Sequence, residues 1–353
     1  MTFHDRKSNF IELGKFLGQF SLTTEEKSEN TVEYEGFYNE LNQKIDTAIH
    51  HNGWFTRENI IFALNEWSKA LKQENLNAWL EKYDLNDHEE QKTVAVIMAG
   101  NIPLVGFHDF LSVLMSGHKV LVKQSGNDKL LLPIIAKFLI QLNPEFENLI
   151  RFTDDQLKDF DAVIATGSNN TARYFEYYFK NKASIIRKNR NSVAVLTGNE
   201  SELQLQDLSR DIFRYFGLGC RNVSKLYVPE DYNFDQFYPA MLQWQDIVNH
   251  AKFANNYDYN KAVYLMSEFK ILDNGFLLLK EDQSFGSPIA TLFYERYSSE
   301  EDLKLNLEDN KEKLQCVVSE GFMDTEVKFG ETQHPKLWDY ADDVDTLSFL
   351  LKL

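Results

Sequence analysis

The stretch TVAVIMAG (93–100) decides the fold. It is a continuous apolar run, β-branched at its start and closed by glycine, the pattern of a strand buried on both faces. Downstream, Pro103–Ser116 reads as a helix with Leu104, Phe107, Leu111 and Leu114 on one side, and Gly117 stops it. KVLVK (119–123) reads as a second buried strand, followed by a helix over Asp128–Leu142. DAVIAT (161–166) is a third strand and Asn170–Lys180 a third helix. Short strands at SIIRK (184–188), VAVLT (193–197) and SKLYV (224–228) continue the series. Alternation of this kind predicts an α/β fold, a parallel sheet with helices on both faces.

Upstream, residues 1 to about 90 read as helical. Ile60, Phe62, Ala63, Leu64, Trp67, Ala70 and Leu71 recur at helical spacing, and Thr56 followed by Asn59 marks a helix start without a full capping box. Beyond 230, Tyr- and Phe-rich helical stretches fill 233–268. Strands are expected at 276–280, 289–294 and LQCVVS (314–319), with a helix near 300–310. A polar cluster, QHPKLWDYADDVDT (333–346), lies near the end.

The chain has 353 residues. At about 150 residues per domain, that suggests roughly two domains. Hydrophobic residues make up 43%, enough for a sizeable core and too much for a disordered chain. With 37 Lys+Arg against 54 Asp+Glu the net charge is −17, which disfavours non-specific binding to nucleic acid or an anionic membrane. Two cysteines, Cys220 and Cys316, make neither a disulfide framework nor a four-Cys zinc site, and no metal is expected. No apolar run reaches about 18 residues and the first residues lack a signal-peptide core, so a cytoplasmic protein without a membrane span is expected.

Ligands of open α/β sheets bind beyond the strand ends, and four loops there stand out. In AGNIPL (99–104), Asn101 follows a buried strand, where its amide could aim at a developing oxyanion, helped by the next helix N-terminus. A polar turn with Asn as cap is the alternative. In VKQSGND (122–128), Lys123 ends a strand where it can meet ribose hydroxyls or a phosphate, and an ordinary strand-to-helix turn reads equally well. In ATGSNNT (165–171), Gly167 lets a ligand approach the backbone, and Ser168 with the following N–H groups suits a pyrophosphate. There is no GxGxxG. In FGLGCRNVSKLYV (216–228), Cys220 stands behind two glycines and beside Arg221, a setting that exposes a thiol and lowers its pKa. Cys316, inside LQCVVS, reads as a small buried hydrophobe.

Together these loops resemble the aldehyde dehydrogenase superfamily, and within it the fatty acyl-CoA reductases related to the reductase of bacterial bioluminescence. GNIPL resembles the Asn-x-Pro loop, which implies an oxyanion-binding role for Asn101. LMSGHKVLVKQS (114–125) resembles a segment whose Lys and Ser meet the adenosine half of the cofactor, here Lys123 and Ser125, although Gln124 replaces the usual Pro. TGS (Thr166, Gly167, Ser168) matches Thr-Gly-Ser at the pyrophosphate. GLGC with Lys225 five positions on resembles the nucleophile segment, so Cys220 falls on the nucleophile. QSFGSPIA (283–290) resembles Glu-x-Phe-Gly-Pro, which puts Phe285 beside the nicotinamide and Gln283 where a ribose-binding Glu is usual. The order and spacing agree over about 93–320.

The resemblance implies an aldehyde dehydrogenase-like architecture: an NAD(P)-binding domain over 91–189 plus the tail 326–353, a catalytic domain over 190–325, and the helical 1–90 packing on the cofactor domain. It implies reduction of an acyl thioester, carried by CoA or acyl carrier protein and fatty in character, to an aldehyde through a Cys220 thioacyl-enzyme. His108, two turns past Asn101, is the expected proton donor at collapse, with a packed helix histidine as the alternative. Two departures matter. The water-activating Glu of aldehyde-oxidising members falls on Arg187, which argues against hydrolysis. Gly126 replaces an acidic ribose-binding residue, which makes NADPH acceptable, with NADH also accommodated. A homo-oligomer is compatible with this reading. The alternatives are an aldehyde dehydrogenase producing acids, and an inactive nucleotide-binding protein.

Overall fold

The computed structural model describes residues 1–20, 33–85 and 90–353. The remaining parts of the expected N-terminal helical region, 21–32 and 86–89, lie outside the described residues. The chain divides into two compact units: Met1–Lys188 with Lys336–Leu353, and Asn189–Pro335.

The first unit opens with helices α1 (Phe3–Leu17), α2 (Glu35–His51), α3 (Arg57–Ala70) and α4 (Gln73–Leu80). Two of the starts, α1 and α3, have a side-chain cap. Thr2 and Asp5 form a capping box at α1, and Thr56 Oγ accepts from Asn59 N at α3 without completing one. Then follow β1 (Thr93–Ile97), α5 (Phe107–Met115), β2 (Lys119–Lys123), α6 (Leu131–Leu142), β3 (Ile150–Phe152), β4 (Ala162–Thr166), α7 (Asn169–Tyr178) and β5 (Ala183–Arg187). The five strands pair in parallel, in the order β3-β2-β1-β4-β5.

Alternate residues of these strands face opposite ways, and both faces are covered. Val94, Val96, Val120, Val122 and Ile164 share one core with Phe10 and Phe16 of α1, Phe110 of α5 and Phe138 of α6. Phe16 stacks on Phe138 at 4.2 Å, so the N-terminal helices are part of this unit's core. On the other face, Ala95, Val163 and Ala165 pack under Phe175 and Phe179.

The second unit runs β6 (Asn191–Val195), α8 (Glu202–Phe213), β7 (Val223–Pro229), α9 (Phe237–Met241), α10 (Ala251–Met266), β8 (Ile271–Asp273), β9 (Leu278–Glu281), β10 (Thr291–Tyr297), α11 (Glu300–Asp309) and β11 (Leu314–Val318). Its sheet has the order β11-β6-β7-β10-β9-β8, parallel except for the β8–β9 edge pair. The tail then adds α12 (Thr346–Leu350) to the first unit.

The tail leaves the second unit at Lys336 rather than at 326. Residues 326–335 stay behind because Val327 pairs with β11 and the N–H groups of Gly330 and Thr332 donate to Asp211 of α8. The polar cluster at 333–346 has a structural use. Trp79 Nε1 donates to Tyr340 Oη at 2.7 Å, Tyr83 and Tyr340 share a hydroxyl contact, and Tyr83 donates to Asp345. Burial drives the Tyr340 hydroxyl pKa far above the usual phenol range, so it serves as a neutral hydrogen-bonding group. No described helix is long and apolar enough to cross a membrane.

Candidate active site

In the first unit, the loops after β2, β1 and β4 lie side by side at the carboxyl edge of the sheet, because those strands are neighbours. The chain runs from β1 to β2 on one side and continues through β4 on the other, so the β1–β4 junction is the topological switch point, where such sheets take ligands. Asn101 and the Thr166–Gly167–Ser168 turn flank it.

Asn101 is exposed. Its loop is fixed on both sides of it. Gly100 approaches Ser125 so closely that a Cβ would lie 2.7 Å from the Ser125 side chain, so glycine is required. Asn52 Nδ2 donates to Gly100 O and to Asn127 O, each at 3.4 Å. On the far side, Leu104 takes a left-handed φ of 57° and its N–H donates to Asp128 Oδ2 at 2.9 Å. Helix α5 begins only at Phe107, so Asn101 does not sit at a helix N-terminus as the sequence pattern suggested. The following loop behaves alike: α6 starts at Leu131, and Ser125 and Gln124 organise a turn instead of opening a helix. Lys123 ends β2, its Nζ donating to Asp155 O at 2.9 Å.

Thr166 ends β4 and Ser168 caps α7, its Oγ accepting from Thr171 N at 3.2 Å. Gly167 lets the turn pack tightly on α7, since a Cβ there would crowd Thr171 at 3.0 Å and Phe175 at 3.1 Å. His108 is placed otherwise. Its ring packs against Trp67, Trp79 and Tyr340, and Nε2 donates to Leu337 O at 2.8 Å. Burial lowers its pKa. These contacts make His108 a packed helix histidine, and they correct the proton-donor expectation. Arg187 turns inward to a buried ion pair with Asp109, and its Nη2 donates to Thr346 Oγ1. It is neither a surface cation nor a group aimed at solvent.

In the second unit, Cys220 is exposed whereas Cys316 is buried in β11. The chain reaches Cys220 through Tyr215, Phe216 and Gly217, all with left-handed φ of 54°, 59° and 75°. Asn222 braces this path. Its Nδ2 donates to Asp211 O (2.9 Å) and Arg214 O (2.8 Å), and its Oδ1 accepts from Gly219 N (2.8 Å). Ser192 Oγ donates to Cys220 O at 2.9 Å. The Arg221 guanidinium is engaged by Thr332 O. Thr332 is in turn clasped by Asp211, whose carboxyl is raised by burial to about 6 against the donors from Thr332 and Gly330.

Cys220 precedes β7, so this loop lies at the amino edge of its sheet, unlike the carboxyl-edge loops of the first unit. Phe285 comes to the same edge: Ser224 at the start of β7 donates to Phe285 O at 2.7 Å, and Gly286 abuts Asn191 at the start of β6. Lys225 is fully buried, with Nζ donating to Gln283 O (2.8 Å) and paired with Glu295. The Gln283 side chain is exposed. Asp282 is unsuited as a base. Burial alone would raise its pKa, but Lys280 and the Ser284 N–H outweigh that and hold it at about 2. Sequence reading missed Asn52, Asp128, Ser192 and Asn222, which shape these loops from outside the motifs. Among the described residues no cluster of His, Cys, Asp and Glu could hold a metal ion.

The acyl-CoA reductase (LuxC) family matches residues 25–240, more than half of the chain. No curated protein matches it. Solved structures share the fold. Indole-3-acetaldehyde dehydrogenase AldA of P. syringae, in complex with NAD+, superposes with a TM-score of 0.60 at 14% identity, covering 90% of this chain and 72% of that one. Aldehyde dehydrogenase 21 from Physcomitrella patens gives 0.60 at 13% identity, covering 91% and 74%. An acetylating aldehyde dehydrogenase from Geobacillus thermoglucosidasius gives 0.58 at 12% identity, covering 90% and 76%.

Proposed function

Since the chain belongs to the acyl-CoA reductase (LuxC) family, we propose that it reduces a fatty acyl thioester of CoA or acyl carrier protein to the aldehyde, with Cys220 as nucleophile. The observation that carries this is the contrast between the two cysteines. Cys220 is exposed in a turn braced by Ser192 and Asn222, whereas Cys316 is a buried strand residue.

The Cys220 thiolate attacks the thioester carbonyl, the Sγ–C bond forms, and the carrier thiol leaves, so that a thioacyl-enzyme remains. The Cys220 N–H and the Asn101 amide are the proposed oxyanion donors, each worth about 3 kcal/mol to the transition state. The first unit has features that suit a nicotinamide dinucleotide: a switch point between β1 and β4, a glycine turn after β4, and the N-terminus of α7. Lys123 and Ser125 would hold its adenosine half, Thr166, Gly167 and Ser168 its pyrophosphate, and Gln283 and Phe285 its nicotinamide half. When bound in reduced form, that group supplies the hydride. Loss of the Cys220 thiolate from the resulting hemithioacetal releases the aldehyde. Gly126 offers open space and no carboxylate, which favours NADPH.

The test is to incubate the protein with radiolabelled acyl-CoA without cofactor. Stable label on the wild-type protein and on Cys316→Ala, none on Cys220→Ala, and a chase of label into aldehyde by NADPH are expected. Steady release of free acid at a rate like that of reduction would overturn the reductase assignment.

A further inference from the structure

Asp128 closes the VKQSGND (122–128) loop, and the reading of that motif gives it no role. It is 8% exposed, and its Oδ2 is the acceptor for Leu104 N–H at 2.9 Å. Its Oδ1 is buried with no hydrogen-bond partner among the described residues. The adjoining cavity, lined by Met98, Leu104, Phe107, Gln124 and Leu132, has a volume of only 10 Å³. That is room for about one water at most. A buried, half-satisfied carboxylate is costly, by roughly the desolvation of an unpaired polar group. It is held here at the one residue of the Asn101 loop with left-handed backbone, Leu104. A leucine with positive φ is strained by about 1–2 kcal/mol, so the turn depends on what holds its N–H.

We propose that Asp128 is a positioning residue for Asn101: it latches Leu104 N–H and thereby fixes the turn that presents the Asn101 amide. The proposal rests on the oxyanion role proposed for Asn101. Asn52 holds Gly100 on the near side of Asn101, and Asp128 holds Leu104 on the far side. Because Asp128 itself sits on the loop after β2, the latch also ties the Asn101 loop to the cofactor loop.

The experiment compares Asp128→Ala, Asp128→Ser and Asp128→Asn in the full chain, by steady-state thioester reduction and by amide hydrogen exchange at Leu104. Serine is too short to reach Leu104, and asparagine keeps the acceptor. A donor to the oxyanion acts only in the transition state, so its loss lowers kcat and leaves KM unchanged. Alanine and serine are expected to lower kcat tenfold or more with KM for acyl-CoA and NADPH within twofold. Both should lose protection at Leu104. Asparagine should restore kcat to within about threefold and restore protection. If alanine does not fold, the serine and asparagine pair decides the question. Unchanged protection in the serine variant, or a rise in KM for NADPH at constant kcat, overturns the proposal. A wild-type protein inactive on thioesters but losing Leu104 protection on substitution would overturn the proposed function and not the latch.

Discussion

Replacing Asn222 by alanine should disable the Cys220 turn without touching the thiol. The side chain makes three hydrogen bonds of 2.9 Å or shorter and a fourth, to Ile212 O, at 3.5 Å, and it is 2% exposed. Its removal leaves Asp211 O, Arg214 O and Gly219 N short of partners inside the unit. At roughly 1 kcal/mol for each bond, the destabilisation is about 3 kcal/mol. For a unit of this size, 1 kcal/mol shifts Tm by about 2–4 °C, so a fall of roughly 6–12 °C is expected. The left-handed run at Tyr215–Gly217 then loses its brace, and Cys220 should drift from its attacking position. Aspartate is the informative control. It restores the acceptor for Gly219 but turns a carboxylate toward two carbonyls, so Asn222→Asp should be at least as damaging as alanine. The assay is thermal unfolding together with the rate of acylation by acyl-CoA. An Asn222→Ala protein with unchanged Tm and unchanged acylation would refute the reasoning.

Three further outcomes are expected. NADPH should be used at least as well as NADH in kcat/KM, and a preference for NADH above about tenfold, ~1.4 kcal/mol, would contradict the open Gly126 site. Arg187→Glu should not create a hydrolase. It should destabilise the protein by roughly 3–5 kcal/mol, since it sets a carboxylate against buried Asp109, and a stable, acid-releasing variant would show that Arg187 is misread. Asp128→Asn should gain stability relative to wild type as pH rises from about 4 to 6, by up to about 3 kcal/mol. Burial raises the folded-state carboxyl to about 6 while the Leu104 N–H opposes, and His51 and Lys129, which line a cleft with it, do not contribute. A raised carboxyl favours folding below the unfolded-state value, and that advantage is lost as pH climbs through 6. Parallel melts of the two proteins across pH 4–7 that stay a constant distance apart would contradict this.

The sheet of the first unit was legible because its strands are continuous apolar runs, and a run buried on both faces has few other readings. The helix starts were less so. Leu104 and Leu130 precede α5 and α6 yet pack with the core, so their apolar character extended the helical pattern backwards into the loops. Strands β3 and β8 are three-residue edge strands with too few residues to show a period. The differing exposure of Cys220 and Cys316 could be read from their neighbours. The braces could not: Ser192 reaches Cys220 from 28 positions away, and Asp128 differs from an ordinary turn aspartate only through the burial around it. His108 was ambiguous for the same reason, since Trp67, Trp79 and Tyr340 come from remote segments.

The division of the chain sets the order in which a nascent protein can be completed. The second unit is one unbroken stretch, Asn189–Pro335, and holds all its strands once that stretch has left the ribosome. The first unit begins earlier but must finish later. Leu347 and Leu350 of α12 are fully buried in its core, and Trp79 finds its partner Tyr340 261 positions downstream. Until Lys336–Leu353 has been made, the sites that α12 and Tyr340 will cover stay open to water. Incomplete cores of this kind are where chaperones bind and aggregation starts. The unit that begins folding first is therefore the one exposed longest, and slowing translation over Lys336–Leu353 should lower the yield of soluble protein more than an equal pause before Asn189.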